Sequence, residues 1–495
     1  MANFARANFS TEASSTETLS METPSTNRRR SAIRWLFCLL VMAAFLVSLV
    51  PLLAEARYNL PISDDLTVIS KVLGVWEETH SLPTFLSACV TDTLHLYNTW
   101  QGTFAANYII EVSDVLLFNS YPMLTPAVGI LAFVLANLFF GWVLLKKILG
   151  TDDVTFLTVT FLALFLSIQF CPSAYEAFYW LFAMLLYVGS YCVSLVLMGL
   201  LLLIPKLKSN AWRVVLYVLC LVLALRVGGG TQPLLPVMLL VLLFNLVLRI
   251  RQKNRLDIVF AALALGVYIA CTVLNIIAPG NYARLDYETG AAAAAMSPVS
   301  AVLLSCVHAF GEMLYRLEPG MLLFVLVTAV FTAPFLPGCG FAFKKPWLAF
   351  LLSFGVYASL FTALVYTKNN VGPLRAQNLY YFALYPFMAF NTVYFLGAAT
   401  RASARRTGKA GLPETGERLL SCVFRYPLIA FLIVGCLVFG SVVQRGLQKT
   451  WSYAAYHDLS SGWARDYYSA RSAELDGTSP GATESVVRPN IIDGN

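Results

Sequence analysis

Basic residues in this chain are confined to short stretches between long apolar runs, and that alternation constrains the fold more than any other feature. A hydrocarbon core about 30 Å thick takes roughly 20 apolar residues per helix. Runs of that kind recur at 35–54, 123–145, 154–170, 179–204, 212–225, 234–248, 258–278, 321–336, 347–366, 380–399 and 427–443. Arg28, Arg29, Arg30 and Arg34 precede the first run, and Lys146 and Lys147 follow the second. Lys206 and Lys208 follow the fourth, and Arg249, Arg251, Lys253 and Arg255 follow the sixth. Lys344 and Lys345 follow the eighth, and Arg401, Arg405, Arg406 and Lys409 follow the tenth. Lys and Arg stay cytoplasmic, so eleven spans read from a cytoplasmic N-terminus put every cluster on one side. The expected fold is an all-α polytopic membrane protein with about 11 transmembrane helices.

Composition agrees, with 58% hydrophobic and 12% charged residues against roughly 25% charged in soluble domains. The net charge of +7 lies in connecting segments, where it sets topology, and leaves no basic domain for a nucleic acid. The ten cysteines form no CxxC pair, and His80, His95, His308 and His457 are dispersed, so neither a disulfide framework nor a zinc site is indicated. Residues 1–34 read as a disordered cytoplasmic tail. Residues 35–443 form the membrane domain, and 444–495 a short extracytoplasmic tail. The small-x-small pattern at Ala54–Glu55–Ala56 admits a signal peptide, but a run this long after so long a leader favours a retained anchor.

The outward segments able to form a site are 55–121, 172–180, the turns around Arg226 and Asn281, and 368–378. The first is long for a connection and strongly acidic, with Glu55, Asp64, Asp65, Glu77, Glu78, Asp92, Glu111 and Asp114 against Arg57 and Lys71. Surface helices are expected within it at 66–76 and 92–110, and another at 298–317. Asp64 and Asp65 suit either a catalytic pair or a helix cap. Tyr97, Trp100 and Gln101 combine rings that stack on sugars with an amide that bonds hydroxyls, although an interfacial aromatic belt would also place the rings there. Trp180 has the same two explanations, whereas Glu176, a charge beside an apolar run, needs a partner. Two turns carry a cation, one with Asn281 and Arg284, the other with Arg375 and Gln377. Their guanidinium groups suit a phosphate or lipid headgroups. Arg226, beside Gly228–Gly229–Gly230 and Gln232, is a third candidate.

The outward Asp–Asp, the Tyr-x-x-Trp-Gln-Gly stretch, Glu176 to Trp180 followed by Gly189–Ser190–Tyr191, Pro279–Gly280–Asn281 with Arg284, and a polar tail occur in this order. The set resembles a bacterial family of polytopic proteins related to the glucosyltransferase (Gtr-type) enzymes and, more broadly, the GT-C glycosyltransferases. The resemblance implies a GT-C-like bundle in the bacterial plasma membrane, taking a polyprenyl-phosphate sugar donor and an envelope glycan or lipid-linked acceptor on the outer face. It implies Asp64 or Asp65 as the catalytic base and Arg284, Arg375 or Arg226 on the donor phosphate. Tyr97, Trp100, Gln101, Glu176, Trp180, Asn281 and Gln377 would contact substrate. It leaves open a divalent cation, Mg or Mn, on the Asp pair. The rival readings are a transporter or flippase of lipid-linked sugars and a non-catalytic envelope assembly protein. Transporters tend toward internal repeats and midplane charges; no clear repeat is present, and the charges cluster at the membrane edge.

Overall fold

The computed structural model describes residues 24–61, 64–289, 296–407, 450–475, 477–479 and 481–493, which form helices and turns with no strand among them. The helices of the first half are α1 (Pro24–Glu55), α2 (Asp64–Thr79), α3 (Leu82–Thr99), α4 (Phe104–Ser113), α5 (Leu124–Leu149), α6 (Asp153–Gln169) and α7 (Leu181–Lys206). They continue as α8 (Asn210–Gly228), α9 (Leu234–Gln252), α10 (Arg255–Ile276), α11 (Pro279–Thr289), α12 (Pro298–Tyr315) and α13 (Pro319–Phe335). The last are α14 (Pro346–Lys368), α15 (Leu374–Thr407), α16 (Trp451–Ser461) and α17 (Trp463–Leu475).

Among the described residues, nine helices are long and apolar enough to cross a membrane, and two shorter apolar helices, α6 and α13, accompany them. This is the architecture of a multi-pass helical membrane protein. Eight of the nine fall on predicted runs, and α6 and α13 fall on the runs at 154–170 and 321–336. The run at 427–443 lies outside the described residues. The ninth is α12, expected as a surface helix but apolar and long enough to cross. Its two ends are nonetheless tied to one connection: Met296 N–H donates to the Tyr366 carbonyl at 3.3 Å, and Arg316 Nη2 donates to Gln377 Oε1 at 3.0 Å.

Helix starts follow local chemistry. Asp152, Ser209, Asn254 and Ser297 each accept from the backbone N–H three residues on, as N-caps do. The basic clusters gather at one end of the bundle. Arg34 pairs with Asp152 at 2.9 Å and donates to Thr155 at 2.8 Å. Lys206 reaches the Lys147 carbonyl, and Arg249 reaches the Leu201 carbonyl at 2.9 Å. The loop 55–121 and the C-terminal helices share the other end, where Trp451 Nε1 donates to the Cys171 carbonyl at 2.8 Å and Ser452 N–H to Gln169 Oε1 at 3.0 Å.

Two expected elements differ. The stretch 92–110 is two helices, broken at 100–103. Gly102 there lies so close to α10 that a Cβ would sit 1.9 Å from the Asn275 carbonyl oxygen, and Ala105 N–H donates to the Gly229 carbonyl at 3.0 Å. The segment carrying Asn281 and Arg284 is helix α11 rather than a turn, with Pro279 at its first position, where the missing N–H costs nothing. Likewise Arg375 and Gln377 sit in the first turns of α15, after Gly372 turns the chain at φ +81°. The packed centre below this end is aromatic. Phe133 of α5 lies 4.7 Å from Phe382 of α15 and 5.9 Å from Phe178, ring centroid to ring centroid. That contact fixes segment 172–180 against α15.

Candidate active site

Segment 172–180 enters the end of the bundle opposite the basic clusters as a single wide turn, Tyr175–Tyr179, and meets the start of α15. Ser173 N–H donates to Asn378 Oδ1 at 3.0 Å, and Asn378 Nδ2 donates back to the Ser173 carbonyl at 2.8 Å. This reciprocal clamp registers the two segments. Glu176 Oε2 then accepts from Arg375 N–H at 2.6 Å and lies 3.6 Å from Arg375 Nη1. A carboxylate at a helix N-terminus is favoured by the unpaired N–H groups and the dipole, which answers the need of Glu176 for a partner. The Arg375 guanidinium stands 5.1 Å from the Trp180 ring and 6.0 Å from the Tyr187 ring. Glu176 and Arg375 side chains stay 19% and 22% exposed, within reach of a ligand. Trp180 Nε1–H is buried and has no acceptor among the described residues. An orphan donor beside an arginine and a partly exposed carboxylate suits a ligand oxygen.

Asp65 approaches the same segment from the side. It is 4% exposed, and its Oδ1 accepts from Phe182 N–H at 2.9 Å, near the start of α7. The second carboxylate near it is Asp114, 2% exposed, whose Oδ2 has no hydrogen-bond partner among the described residues. Burial, and then the Asp65 charge, push the Asp114 carboxyl up to about 8. The Tyr175 phenol is pushed well above its usual range by burial first, then by Asp65, Tyr467 and Glu176, with Arg471 opposing. Glu176 and Trp180 thus belong to segment 172–180, Arg375 meets them from α15, and Asp65 bonds the start of α7 just beyond the segment. The Asp64 side chain lies outside the described residues. The Asp65 side chain is turned inward toward Phe182. Among the described residues, no group of three or more His, Cys, Asp or Glu is arranged to hold a metal.

Asp114 makes a testable prediction. A carboxyl whose folded-state value is raised stabilises the fold fully below its unfolded value and loses that contribution as pH rises toward 8. The melting temperature of the detergent-solubilised protein should therefore fall between about pH 4 and pH 8, and Asp114→Asn should remove part of that fall, on the order of 1 kcal/mol or more. Equal pH profiles for the two proteins would show that Asp114 is not held in its neutral form.

A second network holds the remaining candidates. Arg284 Nη1 donates to Gln101 Oε1 at 2.8 Å, and Arg284 Nε donates to Glu288 Oε1 at 2.8 Å. Glu288 also pairs with Lys368, and these two cations lower its carboxyl against burial, which alone would raise it. Arg284 covers the Trp100 ring at 5.0 Å. Asn281 Oδ1 accepts from Gly102 N–H at 2.9 Å and from Gln232 Nε2 at 3.2 Å. Tyr97 Oη donates to the Leu274 carbonyl at 2.9 Å. These bonds fasten the loop 55–121 to α10 and α11, and so Trp100, Gln101, Asn281 and Tyr97 make inter-helix contacts. Arg226 is 7% exposed and donates to Ser190 Oγ at 3.1 Å and the Leu185 carbonyl at 3.0 Å, which ties α8 to α7.

Sequence reasoning missed Asp114, Tyr175, Tyr187 and the Glu312–Arg316 pair. The last carried a visible signal, opposite charges four residues apart on an apolar helix. The chain matches no protein-family model, no curated protein and no solved structure.

Proposed function

We propose that the protein is an integral membrane glycosyltransferase of GT-C type, transferring a sugar from a polyprenyl-phosphate donor to an envelope glycan or lipid-linked acceptor on the outer face of the bacterial plasma membrane. The observation that carries this reading is the grouping of Glu176, Arg375 and the orphan Trp180 N–H at the outer end of an apolar bundle. It offers a proton acceptor, a cation for phosphate and a stacking surface with a free donor. In the transfer, a carboxylate takes the proton of the acceptor hydroxyl while the hydroxyl oxygen bonds to the anomeric carbon. The bond from that carbon to the phosphate oxygen breaks, and the electron pair leaves with polyprenyl phosphate, whose charge Arg375 stabilises. The partly exposed Glu176 is better placed for the proton than Asp65, which is buried and bonded to Phe182 N–H; Asp64, at the start of α2, is the other candidate.

Arg375 and Arg284 separate charge from geometry. Lys keeps the charge of Arg but not its planar fork. Arg375→Lys should weaken the apparent affinity for a polyprenyl-phosphate sugar roughly tenfold, whereas Arg284→Lys, whose partners are Gln101 and Glu288, should leave it within about twofold. A titration of the donor against each purified variant checks this. The reverse order would move the phosphate site to α11.

The transporter reading draws on Arg226, an ionisable group inside an apolar helix. Its bonds to Ser190 and the Leu185 carbonyl give it a packing role.

A further inference from the structure

We propose that Arg316, at the end of α12, is a positioning residue for Arg375; this rests on the reading above that Arg375 holds the donor phosphate. The first turns of α15 carry Arg375, Gln377 and Asn378, and the structure holds them from two sides. One side is the clamp of Asn378 on Ser173 with the bond from Arg375 N–H to Glu176. The other side reaches α12. Arg316 Nη2 donates to Gln377 Oε1 at 3.0 Å, and Gln377 Nε2 donates to the Gly372 carbonyl at 3.0 Å. Gln377 thus closes the turn that leads into α15, and Arg316 fixes which way its amide faces. The turn takes glycine, because its backbone is left-handed at φ +81° and a Cβ there would stand 2.3 Å from Leu364 Cδ1.

Arg316 is itself immobilised. Its Nε donates to Glu312 Oε2 at 2.7 Å, the two side chains are 8% and 15% exposed, and the guanidinium lies 5.7 Å from the Tyr381 ring. A largely buried pair of this kind is costly to desolvate and is weak evidence of stabilisation, so its bond to Gln377 is the more informative feature. The helix that carries it exposes an apolar stripe, Val299, Leu303, Val307, Phe310 and Leu314, at helical spacing, with Arg316 on a different face. The chain of bonds therefore runs from a lipid-facing helix through Gln377 to the turn that sets Arg375.

Hydrogen exchange of the ligand-free protein in nanodiscs tests the positioning directly. Peptides covering 372–380 should exchange several-fold faster in Arg316→Gln and in Gln377→Ala than in wild type, because each loses the tie that holds the turn. Gln377→Ala keeps the Glu312–Arg316 pair intact, and Glu312→Gln/Arg316→Gln neutralises it, so neither depends on a stranded buried charge. Binding of undecaprenyl phosphate should then weaken about tenfold in Arg316→Gln, and the Arg316→Gln/Gln377→Ala double variant should lose no more than the larger single, as residues in one path do. Arg316→Lys, which keeps the charge and one donor, should recover part of the affinity. Unchanged exchange in Arg316→Gln, or additive losses in the double variant, would overturn the proposal. Faster exchange with no undecaprenyl phosphate binding even by wild type would sustain the tie from Arg316 to the turn and reject the phosphate reading of Arg375 instead.

Discussion

Replacing Glu176 by Gln is expected to slow sugar transfer roughly 100-fold or more, with little change in melting temperature. Gln keeps an oxygen that can accept from Arg375 N–H, so the contact between segment 172–180 and α15 survives. What it lacks is the capacity to take a proton. Asp65→Asn separates the two acidic positions, because its amide oxygen can still accept from Phe182 N–H while the repulsion of Asp114 is relieved. That variant should lose less than about tenfold, since the hydrogen bond it must preserve is a neutral-acceptor one worth about 1 kcal/mol. Initial rates with a polyprenyl-phosphate sugar in detergent, measured beside thermal melting, make the comparison. A large loss in Asp64→Asn with none in Glu176→Gln would assign the base to α2.

Gly102→Ala is expected to unseat the first outward loop. An added Cβ would lie 1.9 Å from the Asn275 carbonyl oxygen and 2.8 Å from Ala278 Cβ, and neither can retreat as a flexible side-chain end could. Asn275 is held in turn by its bonds to the Gly228 and Gly230 carbonyls at 3.1 and 2.8 Å. Overpacking of a rigid contact costs about 1–3 kcal/mol and at times more, and here the displaced segment also carries the Ala105–Gly229 and Gly102–Asn281 bonds. Gly280→Ala strains the same seam from the other helix, 2.5 Å from Trp100 N. Gly74→Ala, on α2 with open space around it, is the matched control. Thermal melting of the three variants should show large losses at Gly102 and Gly280 and none at Gly74. Equal melting of all three would mean the loop is not seated on α10.

The apolar runs were legible because length and charge placement are physical requirements of a bilayer, met within a single stretch of sequence. The site was legible only as residue types. Glu176 demanded a partner, but nothing local names Arg375, which lies 199 residues on. Asp64 and Asp65 drew attention by adjacency, whereas Asp114, a described carboxylate close to Asp65, comes from far along the chain. Gln101 and Asn281 read as substrate ligands because amides bond hydroxyls, and nothing local foretold their bonds to Arg284 and Gly102 across the loop seam. Gly102 and Gly280 gave no sign of their role, since close backbone approach leaves no periodic trace.

Release of polyprenyl phosphate from a polyprenyl-phosphate sugar by the purified protein in nanodiscs, with a glycan acceptor present, tests the central claim most directly. Cleavage that needs acceptor and disappears in Glu176→Gln is the predicted result. A donor moved between leaflets of a reconstituted vesicle without cleavage would contradict it and identify a transporter.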